Sequence, residues 1–278
     1  MRLLVSSEED PASCNMRELL LRKRGWEPAE AGEFGEGRLL VGDGMAMVTI
    51  EGIHIFEDHL DRRVGEILDV EFDEVVFLSR HRAASAIPTL TVHPIGNWGE
   101  AKFGGRDGDL VPATPSLMNG MLRRISELGS DLPFQISFEV THHGPWLETP
   151  TVYIEIGSDE SQWGHMGAAE CLTDALLTVR DEDHPVLIGL GGGHYGPRFT
   201  DIALTRKANF GHMVPAHALD DADESSIQDM VSKAMDASGA TAAYMHRKSM
   251  KRSRASLISS VLERMEVPLL RSEDLDPL

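Results

Sequence analysis

The sequence predicts an α/β protein in which helices cover a largely parallel sheet. Apolar runs typical of buried strands alternate with segments of helical periodicity almost from end to end. No repeat, low-complexity tract or Pro/Ser linker divides the chain, and its 278 residues, 41% of them hydrophobic, are enough to bury a full core. We therefore expect one domain over residues 1–278, with a loose acidic tail from about residue 271.

In the first half of the chain, residues 3–6 predict the first strand. A helix over about 15–24 follows, because Asn15 and Glu18 have the spacing of a capping box. Residues 38–57 predict two or three short strands separated by glycines, and apolar positions from Leu60 to Leu68 predict a helix face.

The middle and last parts continue the alternation. Buried strands are predicted at 75–78, 90–93, 134–140, 152–156, 186–190 and 241–245. A helix begins at Thr114 and Pro115, because proline is favoured in the first turn. Further helices are predicted by apolar residues at helical spacing between 169 and 179, 227 and 235, and 257 and 265.

The charge balance gives two opposing indications about a nucleic-acid partner. The net charge of −19 weighs against one, because phosphate contacts supply most such affinity. Residues 244–254 (YMHRKSMKRSR), which we call the basic segment, contain five Lys or Arg and no acid, and we expect this segment to contact a polyanion. Arg80 and Arg82 could hold a phosphate, although an ordinary surface turn fits them almost as well.

The sequence shows neither a disulfide pattern nor a signal for secretion or membrane insertion. Cys14 and Cys171 are too few for a disulfide framework and form no CxxC zinc motif. The apolar stretch at the N-terminus is too short for a signal peptide, and no stretch approaches the length of a membrane span. We expect a soluble, cytoplasmic protein with no membrane partner.

Histidines carry the strongest functional signal. Of the twelve, five follow strands or sit in glycine-rich loops: His93, His142, His143, His194 and His212. In open α/β sheets, ligands bind in the crevice beyond the carboxyl ends of the strands. Imidazoles that meet there would form a metal or acid/base site.

The segment FQISFEVTHHGP orients two of these histidines. Alternation places Phe138 and Val140 on one strand face and Glu139 on the other. Continuing that phase, His142 and His143 diverge unless the strand has ended, and Gly144–Pro145 indicates that it ends about there. We expect His142 to point into the site and His143 to pack or to hold its orientation. By the same alternation Glu155 faces away from the apolar side of its strand, so a metal, a histidine or an arginine should partner it, with a plain ion pair as the alternative.

The segment GLGGGHYGPRF follows an apolar strand. Successive glycines let backbone amides approach an oxyanion closely, although a simple strand–helix corner would also use them. In the GxGxxG register His194 occupies the third glycine position, and no GK[ST] follows, so neither a dinucleotide fingerprint nor a P-loop is present. We expect no nicotinamide or flavin cofactor. GxSxG and HExxH motifs are also missing.

Five motifs together point to a family. In this order, LSRHRAASAIPTLTVHPIGNWGEA, EVTHHGP, PTVYIEIGS, GLGGGHYGPRFT and NFGHM closely resemble the archaeal and plant D-aminoacyl-tRNA deacylases, over nearly the whole chain. The resemblance implies a three-layer α/β/α phosphorylase/hydrolase-like fold, a monomer and zinc, with two ions per subunit. It also implies hydrolysis of the ester of D-aminoacyl-tRNA, which removes wrongly attached D-amino acids.

On the matched motifs we assign the site as follows. The metal ligands are sought among His93, His142, Glu155, His194 and His212, and His142 and His194 also among the acid/base groups. The amides of Gly192 and Gly193, with Gly191, would stabilise an oxyanion. The tRNA contacts are predicted at Arg80, Arg82, Arg198, Lys248, Lys251 and Arg252. Two alternatives stay open: a zinc-dependent peptidase or amidohydrolase, and a non-catalytic RNA-binding module.

Overall fold

The computed structural model describes residues 1–35 and 37–278. The strands are β1 (Arg2–Ser7), β2 (Glu27–Pro28), β3 (Leu39–Gly42), β4 (Met45–Ile50), β5 (Glu74–Arg80), β6 (Thr89–His93), β7 (Gln135–Phe138), β8 (Thr151–Gly157), β9 (Val186–Leu190), β10 (Asn209–Val214), β11 (Ala242–Met245) and β12 (Leu269–Leu270). The helices are α1 (Pro11–Lys23), α2 (Leu60–Leu68), α3 (Pro115–Leu128), α4 (Glu160–Trp163), α5 (Met166–Thr178), α6 (Pro197–Thr205), α7 (Ala216–Asp220), α8 (Glu224–Ser238) and α9 (Arg252–Arg264). None of the helices described has the length and apolar character needed to cross a bilayer.

The strands form two sheets. The large sheet has the order β2-β3-β4-β1-β5-β8-β6-β7, and the small sheet has the order β10-β9-β11-β12. The small sheet is parallel throughout, whereas in the large sheet β6 runs antiparallel to β8 and β3 antiparallel to β2 and β4. The predicted α/β class with a mixed, largely parallel sheet is confirmed, but the sequence pattern did not separate the strands into two sheets.

Helices cover both faces of this layer. Helices α1, α3 and α5 pack on one face of the large sheet, and their core continues onto the inner face of the small sheet. Helix α2 covers part of the opposite face of the large sheet, and α8 and α9 cover the outer face of the small one. The result is the expected three-layer α/β/α arrangement. Because α2 lies over only part of its face, the region of β8, β6 and β7 is left open for a site.

A short extension of β7 joins the two sheets. This seam, residues 139–142, hydrogen-bonds to the large sheet through Glu139 N and Val92 O (3.2 Å). It bonds to the small sheet through Thr141 N and Met213 O (3.2 Å). The seam therefore carries its side chains into the space between the two sheets.

Helix α1 begins earlier than its predicted start near Asn15. The Asp10 carboxylate accepts a hydrogen bond from Ser13 N (3.0 Å), and Pro11 occupies the first helical position. An N-terminal cap and a proline at this position are strong helix-start signals. The capping box predicted at Asn15 and Glu18 is therefore wrong, since both residues lie inside the helix.

The C-terminal residues are packed, so the expectation of a loose tail from about 271 is wrong for the structure described. Leu275 is 5% exposed in the main core. Lys207 N donates to Asp276 O (2.8 Å), and Leu278 N donates to Thr205 O (3.2 Å). One buried leucine and these backbone bonds hold a segment whose acidic composition had suggested disorder.

Candidate active site

Strand register places several polar side chains on the open face of the large sheet. Glu155 in β8 pairs with Ser79 of β5 on one side and with Thr91 of β6 on the other. His81 and His93 each lie two residues further along those strands, so alternation turns both toward the face that carries Glu155. Glu155 lies on the sheet face itself, whereas His81 and His93 stand at the carboxyl ends of β5 and β6, where the sequence pattern predicts a site.

Glu139 is the centre of the group. It is fully buried at the start of the seam, in register with the end of β6. Its Oε1 lies 3.2 Å from His81 Nδ1. Its Oε2 lies 2.9 Å from His194 Nε2 and 3.4 Å from His142 Nε2. One carboxylate therefore contacts imidazoles from three separate parts of the chain.

Both histidines of the THHGP segment enter the site. His143 has a φ of 46°, so the strand has ended and the strand phase no longer applies. The rings of His142 and His143 lie 4.4 Å apart, and they lie 4.4 and 5.0 Å from the ring of His93. His142 is in the site as expected. Because the strand has ended, as Gly144–Pro145 indicated, the two rings do not diverge, and His143 lies in the site as well instead of only packing beside it.

Seven residues make up what we call the histidine–carboxylate cluster: His81, His93, Glu139, His142, His143, Glu155 and His194. Within it, three groups bring their ligand atoms within 4.8 Å of one another, which is close enough to hold a metal ion: His93–His142–His143, His81–Glu139–His194 and His93–Glu139–Glu155. The first two groups share no residue. Glu155 lies between them, with Oε2 3.5 Å from His81 Nδ1 and 3.4 Å from His93 Nε2.

The hydrogen bonds of three rings prepare them to bind a metal. His93, His142 and His143 each direct Nδ1 at a backbone carbonyl, at 3.2, 2.8 and 2.6 Å respectively. An imidazole that donates from Nδ1 in this way keeps a lone pair on Nε2, the arrangement usual for metal-bound histidine.

Buried atoms without partners support the same conclusion. Among the described residues, both oxygens of Glu139 and Nε2 of His93 have no partner in hydrogen-bond geometry, although imidazole nitrogens lie close by. A buried carboxylate in this state requires compensation. A metal cation would supply it, so the residues present fit a metal site.

Electrostatics divide the imidazoles of the cluster into two kinds. Burial by itself lowers the pKa of His81 and His93, but the neighbouring Glu155 and Glu139 outweigh it and raise the pKa of both rings above the ordinary value. Burial by itself raises the pKa of Glu155, but His81 and His93 outweigh it and hold that pKa well below its ordinary value. Burial, followed by the neighbouring His93 and His143, holds the pKa of His142 well below its ordinary value. Burial also lowers the pKa of His143 to about 4. Neutral His142 and His143 are in the form that binds metal.

A cavity of about 780 Å³ opens onto the cluster. His81, His142, His143, Glu155 and His194 line it. A cavity of this size matches small-molecule sites, and it can take an aminoacyl group but not the body of a nucleic acid.

His212 does not join the cluster, so its assignment as a metal ligand is corrected. Its ring is fully buried in β10, with Nδ1 3.1 Å from Thr141 Oγ1 and Nε2 2.9 Å from Val111 O. Both ring nitrogens are therefore engaged. The sequence pattern had placed His212 in a glycine-rich loop, whereas Asn209–Val214 is a strand buried along its whole length.

The loop of Gly191, Gly192 and Gly193 supplies fewer free amides for an oxyanion than expected. Gly191 N donates to Val214 O (2.8 Å), and Gly192 N donates to Ser249 Oγ (2.7 Å). The assignment of Gly192 as an oxyanion donor is therefore wrong in this conformation. Gly193 is exposed, and its amide has no hydrogen-bond partner within the part of the chain that the structure describes.

The basic side chains are divided between two places. Arg80 and Arg82 line the cavity, and their guanidinium groups lie 4.7 and 4.9 Å from the ring centre of Trp163. Lys248, Lys251 and Arg252 of the basic segment are exposed near a second groove of about 500 Å³, which Lys248 lines.

Arg198 lies in the same groove, but its guanidinium is engaged within the protein. It donates to Tyr244 Oη (3.0 Å), Asp201 Oδ2 (2.5 Å) and Ser272 Oγ (2.6 Å). These bonds fix the guanidinium in the groove, and the role of Arg198 as a tRNA contact stays a prediction.

Sequence reasoning did not assign His81, Glu139 and His143 to the site. His81 was hidden between two arginines that suggested a phosphate contact. Glu139 stood on the polar side of its strand, where solvent exposure is the ordinary expectation. The signal available for His143 was the Gly-Pro that follows it, which marks the end of the strand.

An α/β/α layered fold with a histidine–carboxylate cluster at a cavity of small-molecule size defines a class of protein with a candidate hydrolytic site that could hold metal. Residues 68–270 match the family model described as D-aminoacyl-tRNA deacylase. The chain belongs to the D-aminoacyl-tRNA deacylase family, which confirms the resemblance seen in its motifs.

Relatives agree with this assignment over most of the chain. D-aminoacyl-tRNA deacylase of Methanosarcina mazei is 37% identical over 98% of this chain and 92% of its own length. D-aminoacyl-tRNA deacylase of Pyrococcus furiosus is 35% identical over 78% of this chain and 81% of its own. The crystal structure of AF0625, a conserved protein of unknown function, superposes with a TM-score of 0.88 at 31% identity, covering 99% of this chain and 96% of that one.

Proposed function

We propose that this chain hydrolyses the ester bond of D-aminoacyl-tRNA and releases the free D-amino acid and tRNA. One observation carries the proposal: in a chain of this family, five imidazoles and two carboxylates meet at a cavity that takes an aminoacyl group. The ester joins an aminoacyl carbonyl to a ribose hydroxyl. Its hydrolysis requires a positioned water and stabilisation of the charge that develops on the carbonyl oxygen.

We assign two zinc ions to the cluster. His93, His142 and His143 would hold one, and His81, Glu139 and His194 the other, with Glu155 between them. Imidazole nitrogens and carboxylate oxygens are donors that zinc prefers. When bound, zinc lowers the pKa of a water molecule and polarises the ester carbonyl. Both groups come from a single chain, so the site needs no residue of a second subunit.

The protein's own groups position the substrate and move the proton. Glu139 is fully buried and contacts His194 at 2.9 Å, so it fixes the orientation of this ring. The acid/base role of His194 is the alternative to its role as a zinc ligand: with a side chain 42% exposed at the cavity, a ring free of metal would exchange a proton with the attacking water and then with the leaving ribose oxygen. The free amide of Gly193, next to His194, is the remaining candidate among the three glycines for an oxyanion donor.

Phosphate contacts would come from the basic side chains around the site. Arg80 and Arg82 at the cavity are suited to the phosphate of the terminal nucleotide. The basic segment can contact phosphates further along, because Ser249 Oγ accepts from Gly192 N (2.7 Å) and so ties this segment to the loop that carries His194. These local patches compensate for the acidic balance of the whole chain.

The test compares turnover of matched D- and L-tyrosyl-tRNA with the metal content of the protein. Wild-type protein should hydrolyse the D-ester, lose activity on chelation and regain it with zinc. Glu139→Gln preserves the size of the side chain but removes its charge, and it should lower turnover at least about 100-fold with loss of bound zinc. His212→Gln is the matched control, because this buried residue lies outside the cluster. Wild-type turnover by Glu139→Gln, or by the chelated enzyme, contradicts the proposal.

A further inference from the structure

Exposed apolar side chains surround the mouth of the cavity. Ile53 is 39% exposed and Phe103 is 65% exposed, and both line the opening. Phe56, in the same short turn as Ile53, is 64% exposed. Isolated exposed apolar residues are ordinary, but several together at the entrance of an active site are typical of a binding surface.

The loop that carries Phe103 is held firmly against the site. Phe103 O accepts a hydrogen bond from Gly144 N (3.0 Å), the residue after His143 of the cluster. Asn97 Nδ2 donates to Gly104 O (2.9 Å). A Cβ on Gly104, whose φ is +76°, would lie 1.6 Å from Ile55 O, so the two backbones are in direct contact. The backbone that carries the Phe103 ring is therefore fixed relative to the imidazoles of the histidine–carboxylate cluster. Because this backbone is already ordered, binding a ligand on the ring costs less conformational entropy.

We propose that Phe103 stacks on the base of the 3′-terminal adenosine of the tRNA substrate, an inference that rests on the proposed function. The aminoacyl group must reach the cluster inside the cavity, and the body of the tRNA must remain outside a space of about 780 Å³. Only the terminal nucleotide lies between these two parts. Its base must therefore sit at the mouth.

The chemistry of the mouth fits a nucleotide. Aromatic side chains stack on bases in single-stranded nucleic-acid sites, with little dependence on which base is present. The neighbouring Lys102 is 68% exposed and lies 3.4 Å from Glu100, and Arg80 and Arg82 line the same cavity, so cationic side chains are available near the platform for the phosphate of the nucleotide. Every tRNA ends in the same nucleotide, so a contact with that base serves all substrates alike.

Binding of adenosine 5′-monophosphate tests this stacking without turnover. The zinc-loaded full chain is titrated by calorimetry with adenosine 5′-monophosphate and with ribose 5-phosphate, which lacks the base. Phe103→Ala should weaken binding of the first by about 5- to 150-fold and leave the second unchanged. Phe103→Trp, which keeps an aromatic face, should restore binding. Equal binding of adenosine 5′-monophosphate by wild type and Phe103→Ala overturns the proposal, whatever the catalytic activity.

Turnover gives a second readout. Phe103→Ala should raise KM for D-tyrosyl-tRNA, whereas kcat/KM for D-tyrosine methyl ester, which has no nucleotide, should stay at the wild-type value. Leu128→Ala is the control, because this residue is 38% exposed but does not line the cavity. An equal loss on both esters would mean that Phe103 acts on the reaction centre or the fold instead. Absence of any ester hydrolysis by the wild type would count against the proposed function alone.

Discussion

Replacing His212 with glutamine measures the cost of burying this imidazole in its neutral form. Burial lowers the pKa of His212 from 6.5 to about 4. Thr141 Oγ1 accepts from Met213 N (2.9 Å), so its own proton is free for Nδ1 of His212, while Nε2–H donates to Val111 O (2.9 Å). In this arrangement Nδ1 accepts from Thr141 Oγ1 and carries no proton, and burial disfavours adding one.

The sign and size of the effect follow from the two pKa values. Above about pH 6.5 the ring is neutral in both folded and unfolded chains, so it makes no pH-dependent contribution to the free energy of unfolding there. Below that pH the unfolded chain takes up a proton that the folded chain refuses. The free energy of unfolding should fall by about 1.4 kcal/mol per pH unit down to about pH 4, which amounts to roughly 3 kcal/mol in all.

Urea unfolding of chelated protein at about pH 7.5 and about pH 5.5 provides the measurement. Between these values wild type should lose about 1.3 kcal/mol more than His212→Gln, because other groups titrate equally in both proteins. The exposed His217 gives the control variant, His217→Gln, which should follow wild type. Parallel pH profiles for wild type and His212→Gln, or loss of bound zinc from His212→Gln, would refute the buried structural role.

Two further predictions follow from buried and exposed cations. Arg123, 8% exposed, donates to Ala203 O (2.9 Å) and Ala208 O (2.7 Å), so Arg123→Met should lower the free energy of unfolding by about 3 kcal/mol in urea, and a loss below about 1 kcal/mol would contradict this. Reversing the charge at Lys251 and Arg252 should weaken tRNA binding and reduce its log–log salt slope by about 2, with hydrolysis of D-tyrosine methyl ester unchanged. An unaltered slope would place the tRNA elsewhere.

Much of the fold could be predicted because its signals are local. The strands around Val75–Leu78 and Leu90–His93 are apolar runs that can be recognised without knowing which strands they pair with. The helix at Pro115 can be recognised because proline stands in its first turn. Strand β10 was missed because Gly211 and His212 interrupt its apolar pattern. Gly211 is required there by packing, since an added Cβ would lie 2.3 Å from Ser238 Cβ.

The site was predicted less completely because it depends on register. Glu155 was recognised as a buried carboxylate in need of a partner, since alternation within one strand is enough to show it. His81 and Glu139 became site residues only through pairing of β5, β8, β6 and β7, and pairing is a long-range property that a single sequence does not specify. The same reason explains His212, whose ring nitrogens are satisfied by residues far away in the chain.

The two groups that could hold metal depend on different sheets. The first uses residues of the large sheet and of the segment around the seam, and the second also uses a residue that follows a strand of the small sheet. His93 ends β6, and His142 and His143 lie at the end of the seam and directly after it, whereas the second group needs His194, which follows β9 of the small sheet. If the small sheet came away, the first triad would keep its three ligands and the second would lose one. The geometry of the second group therefore depends on the docking of the small sheet, and a variant that loosens this contact should displace His194 before it displaces the first triad.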